Sequence, residues 1–167
     1  MHDYIDGILQ AYDLAIKYHN NGYQIVEKRC ANMSAAPDNP FVVNEDCKKL
    51  SNEAAAAFHT IMAKALYVTK RARPDISMAI AFLTMRVKSP NIEDCKKSCH
   101  LMKYLRGDRD RPLILGADNE GMLMWYVYAL FAVHSNMCGH TGGGMTMGGG
   151  FPISVSTKAE VEHKEFD

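Results

Sequence analysis

The stretch WYVYALFAVHSNMCGHTGGGMTMGGG, residues 125–150, decides how the C-terminal third of this 167-residue chain folds. It contains most of an uninterrupted run of twelve apolar residues, 122–133. A membrane-spanning helix needs about 20 such residues, so we expect no membrane anchor here. Aromatic and β-branched residues such as Trp125, Tyr126 and Val127 favour strands. The run is therefore predicted to be a β-strand.

Glycine, asparagine, aspartate and proline divide the rest of this region into short segments. We predict a small antiparallel sheet with strands at about residues 122–133, 143–148 and 152–157. The glycine triplets at 142–144 and 148–150 are interpreted as turns, because glycine is typical of tight turns and only a short segment separates the triplets. Neither triplet is followed by the Lys-Ser or Lys-Thr pair of a phosphate-binding loop.

A first helix is predicted to begin at Asp3, a candidate N-cap, and to stop at residues 20–22, which read Asn-Asn-Gly. Apolar residues recur between these signals at helical spacing. Residues 23–50 contain SAAPDNP and only short apolar segments such as 41–43. This segment is predicted to be a loop-like connector.

A block of three helices is predicted between residues 51 and 107. Ser51 opens the first helix, Pro74 the second and the pair Ser89-Pro90 the third, because proline suits the first turn of a helix. The second helix is predicted to run to about Lys88, and the third to end at Gly107. The residues predicted to face the core are Ala55, Phe58, Met62, Ala65, Leu66, Thr69, Ile76, Ala79, Ile80, Leu83, Val87, Ile92, Cys95, Cys99, Met102 and Leu105.

Together these segments predict an α+β fold. Its parts are an N-terminal helix and connector (1–50), a three-helix block (51–111) and a small antiparallel sheet (112–167). The content of hydrophobic residues, 47%, and of charged residues, 23%, is typical of a folded globular chain. We expect one compact unit of these parts.

The chain has no net charge, but its charges are unevenly distributed. Lys plus Arg against Asp plus Glu number 5 and 7 in residues 1–50, 12 and 6 in 51–111, and 2 and 6 in 112–167. The basic central block is either a surface for a polyanion or a set of solvated helix faces. Its candidate nucleic-acid-binding residues are Lys64, Lys70, Arg71, Arg73, Arg86, Lys88, Lys103 and Arg106.

Five cysteines, an odd number, occur in a chain without the apolar segment of a secretory signal. This combination predicts an intracellular, reducing compartment, either cytoplasm or nucleus. Two clusters could hold zinc, namely His134, Cys138 and His140, and Cys95, Cys99 and His100. Both fall short of the four well-spaced ligands that zinc needs. We therefore predict no metal site and no bound cofactor.

Several stretches of the chain resemble one family. FHTIMAKALYVTKRARPDISMAIAFLTMRVKSPN at 58–91, CHLMKYLRG at 99–107 and WYV.A.FAVH...GHTGG.MTMG.G.PIS.STK at 125–158 are similar to the Pol polyprotein of copia-type long-terminal-repeat retrotransposons. The resemblance implies the end of a reverse transcriptase, with its thumb-like helices, followed by the first strands of an RNase H domain. In that case the sheet is a truncated RNase H-like fold.

The resemblance also accounts for the long apolar run. The first RNase H strand of the family reads V-D-A-S-F-A-V-H, where this chain reads VYALFAVH at 127–134. Tyr128 thus stands in the position of the first metal-binding aspartate, and Leu130 in that of the serine. RNase H cleavage uses two Mg²⁺ ions held about 4 Å apart by acidic side chains. A neutral phenol is a poor ligand for Mg²⁺, so no catalytic residue is expected at this position.

Other parts of the family's catalytic apparatus have no counterpart. The polymerase motif Tyr-x-Asp-Asp does not occur in the chain. After Lys158 the family continues with S-S-T-E-A-E, and Glu160, Glu162 and Glu165 are out of register with that motif. Residues Asn136 and Cys138 replace an aspartate and an arginine that are common in the family. We therefore expect an inactive fragment with weak affinity for RNA:DNA hybrids.

An alternative function follows from the truncation. A three-stranded sheet without its covering helix leaves an apolar face and an edge open. Either the helices at 51–107 cover the sheet, or another chain covers it, or the protein aggregates through it. A non-enzymatic interaction module, which pairs with itself or a partner through the sheet edge, is the second hypothesis.

Overall fold

The computed structural model describes residues 2–19, 33–117 and 121–159. Its architecture is α+β, as predicted, with helices first and antiparallel strands last. The elements are α1 (His2–His19), α2 (Asn52–Arg71), a 3₁₀ helix (Pro74–Ile76), α3 (Ser77–Met85), α4 (Ile92–Gly107), β1 (Gly116–Ala117), β2 (Met124–Leu130), β3 (His140–Thr146), β4 (Gly148–Gly149) and β5 (Ile153–Lys158). The predicted stop of the first helix, at 20–22, lies outside the described residues, as do Glu160, Glu162 and Glu165.

Within the described residues the α-helices supply most of the hydrophobic core, and Ala36, Phe41 and Ile76 supply the rest. The central helix, α2, packs against α1 on one side and α3 on the other. Its predicted stripe is right except at Ala55, which is half-buried, and Leu66, which is 39% exposed. The buried residues of α2 are Ala54, Phe58, Ile61, Met62, Ala65, Val68 and Thr69. In α3 and α4 the predicted residues Ala79, Ile80, Leu83, Cys95, Cys99, Met102 and Leu105 are all buried.

The predicted helix starts are right at Ser51 and wrong at Pro90. The Ser51 hydroxyl accepts a hydrogen bond from the amide of Ala54 and so caps α2. Pro90 lies outside the third helix, because Asn91 caps α4 and shares a capping box with Asp94. The Pro90 carbonyl instead accepts from the amide of Leu50, which ties the connector to this corner.

The second predicted helix ends earlier than expected. Pro74 opens a 3₁₀ turn that continues into α3, and the helix ends at Met85 rather than at about Lys88. The Ser89 amide donates to the carbonyl of Arg86, so the chain turns here. The predicted core residue Val87 consequently lies beyond the helix and is only partly buried.

Strands β2, β3 and β5 form an antiparallel sheet in that order, and β1 pairs with β4. The interpretation of the first glycine triplet as a turn is wrong, because residues 142–144 lie within β3. They pair with Tyr128, Val127 and Tyr126 of β2. The loop between β2 and β3 comes earlier, at 131–139, and contains Ala132 and Met137 with left-handed φ angles of 52° and 62°.

The connector joins the helical core to the sheet. Residues 33–50 contain no helix or strand apart from an isolated bridge between Lys49 and Asn91, as the loop prediction requires. Phe41 is buried and lies edge-on to Phe82 of α3, with 6.0 Å between ring centroids. The same ring contacts His134 and His140 at 4.7 and 4.8 Å. Phe41 thus contacts both the helical core and the region of the sheet.

None of the helices in the described ranges combines the length and the apolar character that crossing a membrane requires.

Candidate functional site

Tyr128, the residue that the resemblance singles out, lies near the middle of β2. Residues that are directly opposite in an antiparallel sheet share a face, and Tyr128 is opposite Gly142, which is opposite Ser156. This face, here called the inner face, also carries Tyr126 and Gly144. Pro74, Asp75, Ser77 and Met78 lie across a cleft from it. The outer face carries residues such as Trp125 and Val127, which are 61% and 70% exposed.

The environment of Tyr128 is not that of a magnesium site. Strands β2, β3 and β5 read MWYVYAL, HTGGGMT and ISVSTK and contain no aspartate or glutamate. Mg²⁺ prefers charged oxygen ligands in octahedral geometry, and a lone phenol 62% exposed to solvent does not supply them. The residues present at this position therefore do not fit the family's catalytic ions.

The carboxylate that lines the cleft, Asp75, is already engaged. It accepts hydrogen bonds from the Arg73 guanidinium at 2.8 Å and from the Tyr104 hydroxyl at 2.6 Å. Burial alone would raise the pKa of the Asp75 carboxyl, but these two hydrogen bonds outweigh burial and hold the pKa below its usual value. Asp75 is thus an ionised structural anion.

Aromatic side chains line one side of the cleft. It has a volume of about 380 Å³ and is lined on the sheet side by Tyr126, Tyr128 and Phe151. Tyr126 and Phe151 meet edge to face, with 5.8 Å between their centroids. A Cβ on Gly142 would lie 2.7 Å from the Tyr128 ring, and one on Gly144 would lie 2.5 Å from the Phe151 ring. Because these glycines have no side chain, the rings of Tyr128 and Phe151 can pack against the backbone of β3.

A smaller, basic cavity adjoins the aromatic cleft. Its volume is about 200 Å³, and both cavities are lined by Ser77 and Ser156. Lys70 of α2 and Lys158 of β5 supply its positive charge. The Lys70 ammonium donates to the carbonyl of Ser154 at 3.1 Å, which holds the side chain over β5. None of the residues that line this cavity is acidic.

The structure separates the eight candidate basic residues into two groups. Arg73, Arg86 and Arg106 form internal ion pairs, with Asp75, with Asp94 and Glu45, and with Asp13, respectively. Arg73 is 1% exposed, so its assignment to a binding surface is wrong. Such pairs satisfy charge within the fold and leave less of it for a partner.

The other five candidates retain access to solvent. Lys64 and Arg71 lie seven residues apart on one face of α2. The Arg71 guanidinium lies 5.5 Å from the centroid of the Tyr67 ring. Lys70 points instead toward β5, Lys88 follows α3, and Lys103 lies on α4. The basic block is therefore spread over several elements.

His134 and His140, members of one candidate zinc cluster, contact each other. Their ring nitrogens Nε2 and Nδ1 are 3.2 Å apart, and His140 Nε2 lies 2.8 Å from the Ser156 hydroxyl. Burial lowers the pKa of both imidazoles, and for His134 the neighbouring His140 adds to the effect. Two neutral rings that share a hydrogen bond explain this arrangement. In the described chain no three His, Cys, Asp or Glu side chains are grouped to hold a metal ion.

Comparisons with protein-family models, with curated proteins and with solved structures found no match to this chain.

Sequence reasoning identified Tyr128 but missed the cleft around it. The missing signal was the pairing of β2 with the glycine triplet, since small residues opposite aromatic ones make room for rings to lie on a sheet. Phe151 and Lys158 belong to the two cavities and were assigned no role in binding from the sequence. Their proximity to α2 and α3 depends on tertiary packing.

Proposed function

We propose that this chain is a non-catalytic fragment related to the copia-type Pol polyprotein, with residual affinity for nucleic acids such as RNA:DNA hybrids. Support comes from the quoted similarities at 58–91, 99–107 and 125–158. A three-stranded antiparallel meander after a helical block is also what the first strands of an RNase H domain would form. The inferred loss of activity concerns the metal-binding carboxylates.

The observation that carries this proposal is the absence of acidic side chains from β2, β3 and β5. Two-metal hydrolysis of a phosphodiester needs several carboxylates to hold the ions. Tyr128 offers a single phenol oxygen, which is a poor substitute for a carboxylate as a ligand of Mg²⁺. The chain can thus contact a nucleic acid without cleaving it.

The test of inactivity is cleavage of the RNA strand in an RNA:DNA hybrid with Mg²⁺ or Mn²⁺ present. We expect no turnover by the purified chain. Cleavage that a chelator stops, and that Tyr128→Phe abolishes, would contradict the proposal, because a contaminating nuclease would not respond to that variant. The Tyr128→Phe change removes one hydroxyl from an exposed side chain and leaves the packing intact.

Residual binding is tested by the salt dependence of affinity for the hybrid. Each phosphate contact that is lost reduces the slope of log K against log salt by about 0.9. We expect Lys64→Gln, Arg71→Gln and Lys103→Gln to weaken binding and flatten this slope. Lys96→Gln is the control, since Lys96 pairs with Glu93 on an exposed turn of α4. An equal slope in all variants would exclude the helical residues.

A second candidate function, self-association through the sheet, has its own observation. Within the described residues β2 pairs only with β3, and all seven of its side chains are exposed. Phe131, directly after β2, is 92% exposed. Light scattering over a concentration series tests this function. Association that Val127→Lys prevents would support it, and a monomer at every concentration would exclude it.

We also propose that the chain resides in a reducing compartment, cytoplasm or nucleus. Cys47 and Cys138 carry free thiols. Such thiols are kept reduced inside cells, whereas secreted domains usually pair them.

A further inference from the structure

The aromatic cleft and the basic cavity lie side by side between the sheet and the helices, because Ser77 and Ser156 line both. The two cavities together are here called the groove. One half is apolar and aromatic, and the other combines two lysines with hydroxyl-bearing and apolar residues. A ligand that fills both halves must therefore combine a flat apolar part with an anionic part.

The aromatic half has the size and chemistry for a planar ring. Its volume of about 380 Å³ lies within the range of small-ligand pockets. Tyr126 and Tyr128 are 51% and 62% exposed, so ring surface remains free for stacking. Aromatic side chains stack on nucleobases regardless of base type, and each such stack contributes substantially to the affinity for single strands.

The basic half suits a phosphate. Lys70 of α2 and Lys158 of β5 both line it, together with the hydroxyl-bearing residues Ser77, Ser156 and Thr157. The ammonium of Lys70 keeps donors to spare after its bond to the Ser154 carbonyl. Asp75 lies at the aromatic half, and its charge is compensated by Arg73.

We propose that this groove binds an unpaired nucleotide of a single-stranded nucleic acid, with the base on Tyr126, Tyr128 and Phe151 and a phosphate between Lys70 and Lys158. The inference deepens the proposed nucleic-acid affinity by naming single strands as the ligand class. A duplex cannot use the cleft, because its bases are stacked inside the helix. Lys64, Arg71 and Lys103, in contrast, are solvent-accessible side chains outside the cleft and would contact only the phosphate backbone.

The test is titration of the full chain with a short oligothymidylate, and with an abasic oligomer of the same phosphate count. We expect the oligothymidylate to bind more tightly, by about 10-fold, because only it can stack. Tyr128→Leu should remove most of that difference. Lys70→Gln should weaken both oligomers and flatten the salt slope by about 0.7, the value for one contact to a single strand.

One control variant, one further test variant and a check of folding complete the experiment. Trp125→Leu alters an exposed aromatic residue of the same strand on the outer face, so oligothymidylate affinity should not change. Gly144→Ala displaces the Phe151 ring without removing a ring, and should weaken oligothymidylate binding. Thermal unfolding followed by circular dichroism shows whether each variant remains folded.

Equal affinity for the abasic oligomer, or an unchanged affinity in both Tyr128→Leu and Gly144→Ala, would overturn the nucleotide site. If hybrid binding still responds to Lys64→Gln in that case, the broader proposal of nucleic-acid affinity survives. Tighter binding of an acidic, tyrosine-containing peptide than of the oligothymidylate would also overturn the assignment, since the groove would then be a peptide site.

Discussion

Arg73 is charged, yet only 1% of its surface is exposed. Its guanidinium donates to the Asp75 carboxylate and, at 2.7 Å, to the carbonyl of Asp108. Burial alone would lower the pKa of Arg73, but the bonds to Asp75 raise it above its ordinary value. The residue thereby connects the start of the 3₁₀ helix to the end of α4, and an uncharged replacement would remove a charged donor from both acceptors.

We therefore predict that Arg73→Met lowers the free energy of unfolding by about 3 kcal/mol, toward the lower end for a broken buried pair because the Asp75 side chain is 22% exposed. Arg71→Met, two residues away on the exposed face of α2, should cost no more than about 0.5 kcal/mol. Urea unfolding of both variants measures the difference. Equal stabilities would mean that the buried ion pair contributes nothing net.

The glycines of β3 show at the same scale why sequence alone misassigned part of the sheet. A run of three glycines is typical of turns, and nothing within residues 142–144 indicates otherwise. Their place in a strand is set by what lies over them, namely the rings of Tyr128 and Phe151. Those contacts are made by residues 14 and 7 positions away, so local propensity could not reveal them.

At the scale of elements, the prediction was most accurate where a capping residue marks the start of a helix. Ser51 was identified as a helix start because a capping hydroxyl is a property of one turn. The prediction at Pro90 was wrong although proline is common at the first turn of a helix, because the hydrogen bonds between Asn91 and Asp94 place the cap of α4 one residue later. The α+β class itself followed from the change of period near Pro112.

The Asn91 cap should stabilise the folded chain more than an average helix cap does. Its side chain accepts from the Asp94 amide at 3.1 Å and donates to the carbonyl of Asn44 at 3.0 Å. We predict that Asn91→Ala lowers the free energy of unfolding by about 2 kcal/mol, the upper end for caps. Ser51→Ala, which removes a more exposed cap, should cost about 1 kcal/mol. Chemical denaturation decides, and a smaller loss for Asn91→Ala would show that the contact to the connector is unimportant.

At the scale of the whole molecule, the connector, the helical core and the sheet meet at Phe41 and the two histidines. Phe41 packs against Phe82 of the core and against both imidazoles. The ammonium of Lys97, in α4, lies 4.2 Å from the Phe82 centroid and donates to the carbonyls of Pro40 and Val42. Charging the histidines would place cations in this buried contact, so we expect protonation to weaken the docking of the sheet.

This dependence predicts how stability changes with pH. Because burial lowers the pKa of His134 and His140 in the fold, the folded chain binds fewer protons than the unfolded chain, whose imidazoles titrate near pH 6.5. Their stabilising contribution is therefore complete above about pH 6.5 and is lost as the pH falls toward the lowered folded pKa, with a slope of at most about 1.4 kcal/mol per pH unit for each histidine. The Asp75 carboxyl does not contribute to this pH dependence, because its pKa lies below the usual carboxyl value of about 4.

The measurement is urea unfolding between about pH 5 and pH 7.5, above the range in which carboxylates titrate. His134→Gln keeps a hydrogen-bonding side chain beside His140 but cannot be protonated, so it should reduce the slope. His59→Gln, at an exposed position of α2, should leave the slope as it is in the unmodified chain. If His134→Gln and the unmodified chain lose stability in parallel as the pH falls, protonation of this pair does not control the docking of the sheet.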